Sequence, residues 1–210
     1  MSKIKICGMK DPVNVKEISD LNPDYIGFIF YNGSPRFVGA KPDMKIFGNV
    51  PPEIKKVGVF LNETSQRIIE ISFSTGIDVI QLHGNESPDY CDRIKSFGLT
   101  VIKAFNINKE FSFESLIPYL SKCDYFLFDT KSRMHGGSGI KFDWEKLEGY
   151  YFDKPFFLSG GIGPADTDLL KTIRNKVFAV DINSRFEIAG GIKDIELVKT
   201  FINSIKHEQL

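Results

Sequence analysis

Eight short, β-rich apolar runs recur along the chain, and their spacing constrains the fold more than any other feature. They are "IKIC" (4–7), "YIGFIF" (25–30), "VGVFL" (57–61), "DVIQLH" (78–83), "TVIKAF" (100–105), "YFLFD" (125–129), "PFFLS" (155–159) and "FAVDI" (178–182). They begin roughly every 20 to 30 residues, the distance that a strand and a crossover helix together require. Helical patterns lie between them: "DPVNVKEISDL", "TSQRIIEISFST", "SPDYCDRIKSFG", "FESLIPYLSK", "PADTDLLKTIRN" and "KDIELVKTFINSIK". The last places Ile195, Val198, Phe201, Ile202 and Ile205 on one stripe at helical spacing. The stretch 39–54 is broken by Pro42, Gly48, Pro51 and Pro52, so the second crossover is expected to be short or irregular. Eight strand–helix repeats in 210 residues close most economically into a single-domain (β/α)8 TIM barrel spanning 1–210. A doubly wound open sheet is the alternative, and no G-x-G-x-x-G follows the first strand to support it.

Charge and cysteine usage narrow the function. Lysine plus arginine and aspartate plus glutamate are both 27, so no global field favours nucleic acid, and an anionic ligand has to be held locally. Cys7, Cys91 and Cys123 are widely spaced and form neither a C-x-x-C nor a zinc pattern, which fits a reducing cytoplasm. No apolar run approaches the ~20 residues of a membrane span. The expectation is a cytoplasmic protein that binds a small molecule, without nucleic acid or membrane. The charged outer helices suggest a monomer.

In such barrels chemistry is built at the C-terminal ends of the strands. Strand 1 ends in Cys7, which reads either as a small buried hydrophobe or as a proton-transfer group. Strand 6 ends in Asp129, either a loop cap or a general acid whose pKa an apolar mouth would raise. Arg36, in the loop after strand 2, is either a solvated side chain or a fork for a carboxylate. Strand 4 ends in Gln81 and His83. Strand 7 runs into "SGGIGP", and strand 8 ends in Asp181 followed by "INSRFE". Gly160, Gly161, Asn183, Ser184 and Arg185 there are phosphate candidates, with a short extra helix expected after strand 8; a tight turn is the plainer reading of the glycines. Cys91 and Cys123 read as structural, His135 as a loop residue within the glycine-rich stretch 130–144, and His207 as tail.

With these residues in place the chain resembles the phosphoribosylanthranilate isomerase family. "KICGM" (5–9), "GFIFYNGSPRFV" (27–38), "VGVFLN" (57–62), "QLHGNESPDYC" (81–91), "VIKAF" (101–105), "FDTKSRMHGGSGIKFDW" (128–144), "PFFLSGGIGP" (155–164) and "VDINSRFE" (180–187) carry the likeness in order. The resemblance implies an aldose–ketose isomerase, an intramolecular oxidoreductase of tryptophan biosynthesis that needs no cofactor. Its substrate is a phosphosugar joined to anthranilate. On the matching positions Cys7 is the general base, Asp129 the general acid and Arg36 the contact for the anthranilate carboxylate, with Gln81, His83 and the strand 7–8 residues as substrate-binding.

The chain departs from the family pattern at Lys10, at Ile140 and Lys141, at Arg185 where glycine is usual, and at Gly190 where proline is usual. A histidine-pathway isomerase of similar chemistry would carry aspartate at the end of strand 1, where Cys7 stands. A catalytically silent phosphate-binding barrel is the remaining rival, and turnover distinguishes it.

Overall fold

The computed structural model describes residues 3–129, 144–173 and 177–206. Eight parallel strands close into a barrel in chain order: β1 Lys3–Cys7, β2 Tyr25–Ile29, β3 Lys55–Phe60, β4 Val79–Leu82, β5 Thr100–Asn106, β6 Tyr125–Asp129, β7 Phe156–Ser159 and β8 Ala179–Ile182. Closure is made by β8 on β1, where Lys3 pairs with Ala179 and Lys5 with Asp181. The open-sheet alternative is thereby excluded.

The period-two pleat separates two cores. Tyr25, Val57, Val79, Ile102, Ala104, Leu127, Phe157 and Ala179 fill the barrel interior. Ile4, Ile6, Ile26, Phe28, Ile80, Phe126 and Phe128 belong to the second core, with Val15, Ile68, Ile94, Val198 and Phe201 of the surrounding helices. Above the inner apolar layer, at the strand C-termini, the inward positions turn polar: Gln81, Asp129 and Asp181 are each buried there.

Local chemistry sets where the helices begin. Asp11 accepts from the Asn14 N–H ahead of α1 (Pro12–Ser19), and Pro12 occupies the first turn, where its missing donor costs nothing. Thr64 caps α3 (Ser65–Thr75) and Ser87 caps α4 (Pro88–Lys95) in the same way. Between α1 and α3 the proline-rich stretch yields only the single turn α2 (Lys45–Gly48), as its composition predicts.

Two expected helices differ. "FESLIPYLSK" is a 3₁₀ turn, Phe113–Tyr119, with Pro118 inside it, because proline withholds a backbone donor from a regular α-helix. Strand 7 is followed by a 3₁₀ turn, Pro164–Asp166, and then α5 (Thr167–Ile173).

The expected extra helix after β8 is one 3₁₀ turn, Ser184–Phe186. It leads into an antiparallel hairpin the sequence did not announce, β9 (Glu187–Ala189) and β10 (Ile192–Lys193), before α6 (Ile195–Lys206) closes the described chain. Cys91 and Cys123 are fully buried and free, in keeping with structural roles. His135, Ile140, Lys141, His207 and most of the glycine-rich stretch lie outside the described residues. Among those residues no helix is long and apolar enough to cross a membrane.

Candidate active site

One cleft opens at the C-terminal end of the barrel. Cys7, Arg36, Gln81, His83, Asp129, Gly160, Gly161, Asn183 and Ser184 all line it, together with Asp181 and Ser159. Nine of the ten residues singled out from the sequence therefore meet in one place. Arg185 is the exception: it is exposed, and a Cβ placed on Gly163 would lie 3.7 Å from its own Cβ. Its stem thus lies beside the glycine turn after β7, while the side chain is not among those that line the cleft.

At the end of β1, Cys7 is 4% exposed. Lys5, two residues earlier on the same strand face, is fully buried, and its ammonium donates to Asp181 Oδ2 at 2.9 Å. The same ammonium acts electrostatically on the Cys7 side chain. Burial pushes the Cys7 thiol above its ordinary value, and the positive charge of Lys5 works against that shift. Burial also works against the Lys5 charge, but Asp181 and Cys7 together outweigh it and keep the ammonium protonated. The thiol is therefore protonated at rest, with a cation beside it that favours thiolate. Space for this arrangement comes from Gly27 on β2: a Cβ there would sit 2.9 Å from the Cys7 Sγ, 3.2 Å from its Cα and 3.3 Å from Lys5 Cε.

Asp129 ends β6 and is 7% exposed. His83 Nε2 lies 3.4 Å from its Oδ2. On the other side of the ring, Gln81 Nε2 is 2.9 Å from His83 Nδ1. With the amide donating to Nδ1, the ring proton sits on Nε2 and faces the carboxylate. Gln81 is 1% exposed, so it orients His83 from behind. The loop that carries His83 is itself held, because Lys103 Nζ donates to the Gly84 carbonyl at 2.7 Å and to Glu86 Oε2 at 3.0 Å. Glu86 in turn accepts from the Gly84 N–H at 2.9 Å.

Arg36 is not a solvated side chain. Its loop is fastened by the Val38 N–H to the Ile29 carbonyl and the Arg36 N–H to Ser34 Oγ. Nε donates to Glu187 Oε1 at 2.7 Å and Nη2 to Oε2 at 2.5 Å, a bidentate fork. Although burial pushes the Glu187 carboxyl up, hydrogen bonds from Arg36 and Lys193 outweigh it and bring its pKa down to about 2. Gly160 and Gly161, which line the same cleft, follow β7 with φ of 103° and 69°, backbone that only glycine adopts without strain. Asn183 and Ser184 follow β8 and line that cleft as well.

Lys5, Asp181, Glu187 and Lys193 escaped the sequence reading as functional residues. Lys5 carried a signal, since it shares the inward face with Cys7 at a separation of two. Glu187 and Lys193 sit on a hairpin that has no strong local signature.

The N-(5'phosphoribosyl)anthranilate (PRA) isomerase family model matches residues 4–204. An N-(5'-phosphoribosyl)anthranilate isomerase of Parabacteroides distasonis is 44% identical over 206 residues, 97% of this chain and 93% of the relative. One of Phocaeicola vulgatus is 41% identical, covering 98% of each. Among solved structures, phosphoribosyl anthranilate isomerase from Thermotoga maritima superposes with a TM-score of 0.86 at 33% identity, over 98% of this chain and 99% of that one. Another, solved in complex with reduced 1-(o-carboxyphenylamino)-1-deoxyribulose 5-phosphate, gives 0.84 at 30% identity, over 98% and 99%. On the family match and the near full-length identity to these relatives, the chain belongs to the N-(5'-phosphoribosyl)anthranilate isomerase family.

Proposed function

We propose that the cleft carries out the family's isomerisation, a step of tryptophan biosynthesis, with Asp129 as general acid and Cys7 as general base. Asp129 protonates the furanose ring oxygen. The C1–O bond breaks, and the anthranilate nitrogen lone pair forms a C1=N iminium. Its positive charge acidifies the hydrogen on C2, which the Cys7 thiolate removes, and the released pair becomes the C1=C2 bond of an enolamine. Transfer of the O2 proton outward and protonation of C1 complete the ketose, and for the next turnover Cys7 gives up its proton to solvent while Asp129 regains one. The iminium adds to Lys5 as a second positive charge favouring thiolate, which offsets the burial of Cys7.

The remaining contacts would hold the two ends of the substrate. Arg36 takes the anthranilate carboxylate, and Gly160, Gly161, Asn183 and Ser184 take the phosphate, so that the sugar is suspended between acid and base. His83, steadied by Gln81, orients the Asp129 carboxyl group. The observation that carries this reading is the convergence of Cys7 and Asp129, from β1 and β6, on one cleft that Arg36 and the glycine turn also line. In the decay of freshly generated phosphoribosylanthranilate, followed by fluorescence, wild type should be fast. Asp129→Asn should fall by roughly 10²–10⁴-fold. Near-wild-type decay by Asp129→Asn would remove the acid from this scheme.

Two further points belong to the same reading. Exposed intrahelical ion pairs on α1, α3, α5 and α6 (Lys16–Asp20, Arg67–Glu70, Lys171–Asp168 and Lys199–Glu196) support a monomer, which sedimentation equilibrium would test by mass. All three cysteines are free, which supports a reducing cytoplasm.

A further inference from the structure

The Arg36 guanidinium has a used edge and an open one. A guanidinium presents five N–H donors in a planar fork. Nε and one Nη2 hydrogen are taken by Glu187, which leaves the end formed by the two Nη groups for a second carboxylate. Orientation alone does not make a carboxylate site. Arg36 and Glu187 sum to zero charge, and their side chains are only 19% and 6% exposed, so the pair by itself offers an anion little attraction.

A third charge changes that sum. Lys193 Nζ lies 2.6 Å from Glu187 Oε1 and donates to Asn183 Oδ1 at 2.8 Å. Lys193 is 1% exposed, and Asn14 fastens its backbone on both sides, accepting from its N–H at 2.7 Å and donating to its carbonyl at 2.9 Å. Gly191 N–H gives Glu187 Oε1 a further bond at 3.1 Å. The cluster therefore holds two cations and one anion, and its net charge is +1. Lys10, whose stem passes beside Gly191, donates to the Pro35 carbonyl at 2.9 Å and to none of the three charged groups.

We propose that Lys193 is a specificity-determining positioning residue: by neutralising Glu187 it leaves the charge of Arg36 for the carboxylate of the substrate, which it does not itself touch. The proposal rests on the reading of Arg36 as the carboxylate contact. It also assigns the hairpin β9–β10 a purpose, since that element brings both Glu187 and Lys193 behind Arg36.

The test compares two ligands by calorimetry at fixed salt: the reduced product analogue, and its counterpart that carries a phenyl in place of the carboxyphenyl ring. Wild type should prefer the carboxylated ligand. Lys193→Met should lose about tenfold or more of that preference while keeping its affinity for the phenyl ligand. Lys193→Met combined with Glu187→Gln removes one charge of each sign and should hold the preference within about threefold of wild type. Arg36→Met should abolish it.

If Lys193→Met keeps the wild-type preference, or weakens both ligands by one factor as a loosened structure would, the proposal is overturned while Arg36 stands. If the double variant loses the preference as the single one does, the charge argument fails. That arm is informative even where the single variant does not fold, because the double variant buries no surplus charge. Retention of the preference by Arg36→Met would instead overturn the reading on which the proposal rests.

Discussion

The Cys7 thiol shows how one strand end can combine a buried nucleophilic atom with the charge that activates it. Sequence alone left Cys7 between a packing thiol and a base, and its 4% exposure would suit either. Lys5 decides what the environment does, because a lysine turned into a barrel interior and paired to Asp181 is a fixed positive charge beside the sulfur. Burial nevertheless keeps the thiol above its ordinary value of 9.0, so its thiolate fraction is small at neutral pH and grows about tenfold per pH unit. Iodoacetamide labelling of Cys7 should therefore rise with that slope from pH 7 to 9 and slow further in Lys5→Met. A rate that is flat over this range would show a thiolate already formed. Gly27 leaves no room for error beside it. Gly27→Ala should destabilise by about 1–3 kcal/mol in urea titration and depress turnover, since the added methyl meets both the sulfur and the Cys7 backbone.

At the scale of elements, the hairpin after β8 separates what was legible from what was not. The eight strands were legible because each is a short apolar run bounded by turn residues, and the observed ends fall within two residues of the expected ones. The helical patterns quoted from the sequence begin at the residues that cap α1, α3 and α4, namely Asp11, Thr64 and Ser87. By contrast β9 and β10 contain three and two residues, too few for periodicity, and they carry Glu187 and Lys193 into ion pairs that no local pattern announces.

Those ion pairs make a pH signature. The Glu187 carboxyl is depressed from 4.5 to about 2 in the folded protein, so the stability it contributes is complete above pH 4.5 and is lost as pH falls toward 2. Urea midpoints should decline over that interval, and Glu187→Gln should remove part of the decline. An unchanged profile in the variant would place the acid sensitivity elsewhere.

For the whole molecule, closure of the barrel turns local sequence into a site. Cys7, Arg36, His83, Asp129 and Gly160 are scattered over most of the chain, yet each follows a strand whose C-terminal end faces one cleft. That convergence was legible as soon as eight strands were counted. Arg185 was not, because its direction depends on a single 3₁₀ turn rather than on the barrel. Nor were Lys5 with Asp181 and Arg36 with Glu187, pairs separated by 176 and 151 residues whose partnership exists only once β8 closes on β1.

The central claim is that Cys7 removes the hydrogen from C2. Its most direct measurement is turnover of phosphoribosylanthranilate carrying deuterium at C2, by wild type and Cys7→Ser, with binding of the reduced product analogue measured in parallel. The account predicts release of the deuterium to solvent by wild type, and a loss of roughly 10²–10⁴-fold in Cys7→Ser with the analogue still bound. Turnover by Cys7→Ser within a few-fold of wild type would contradict it.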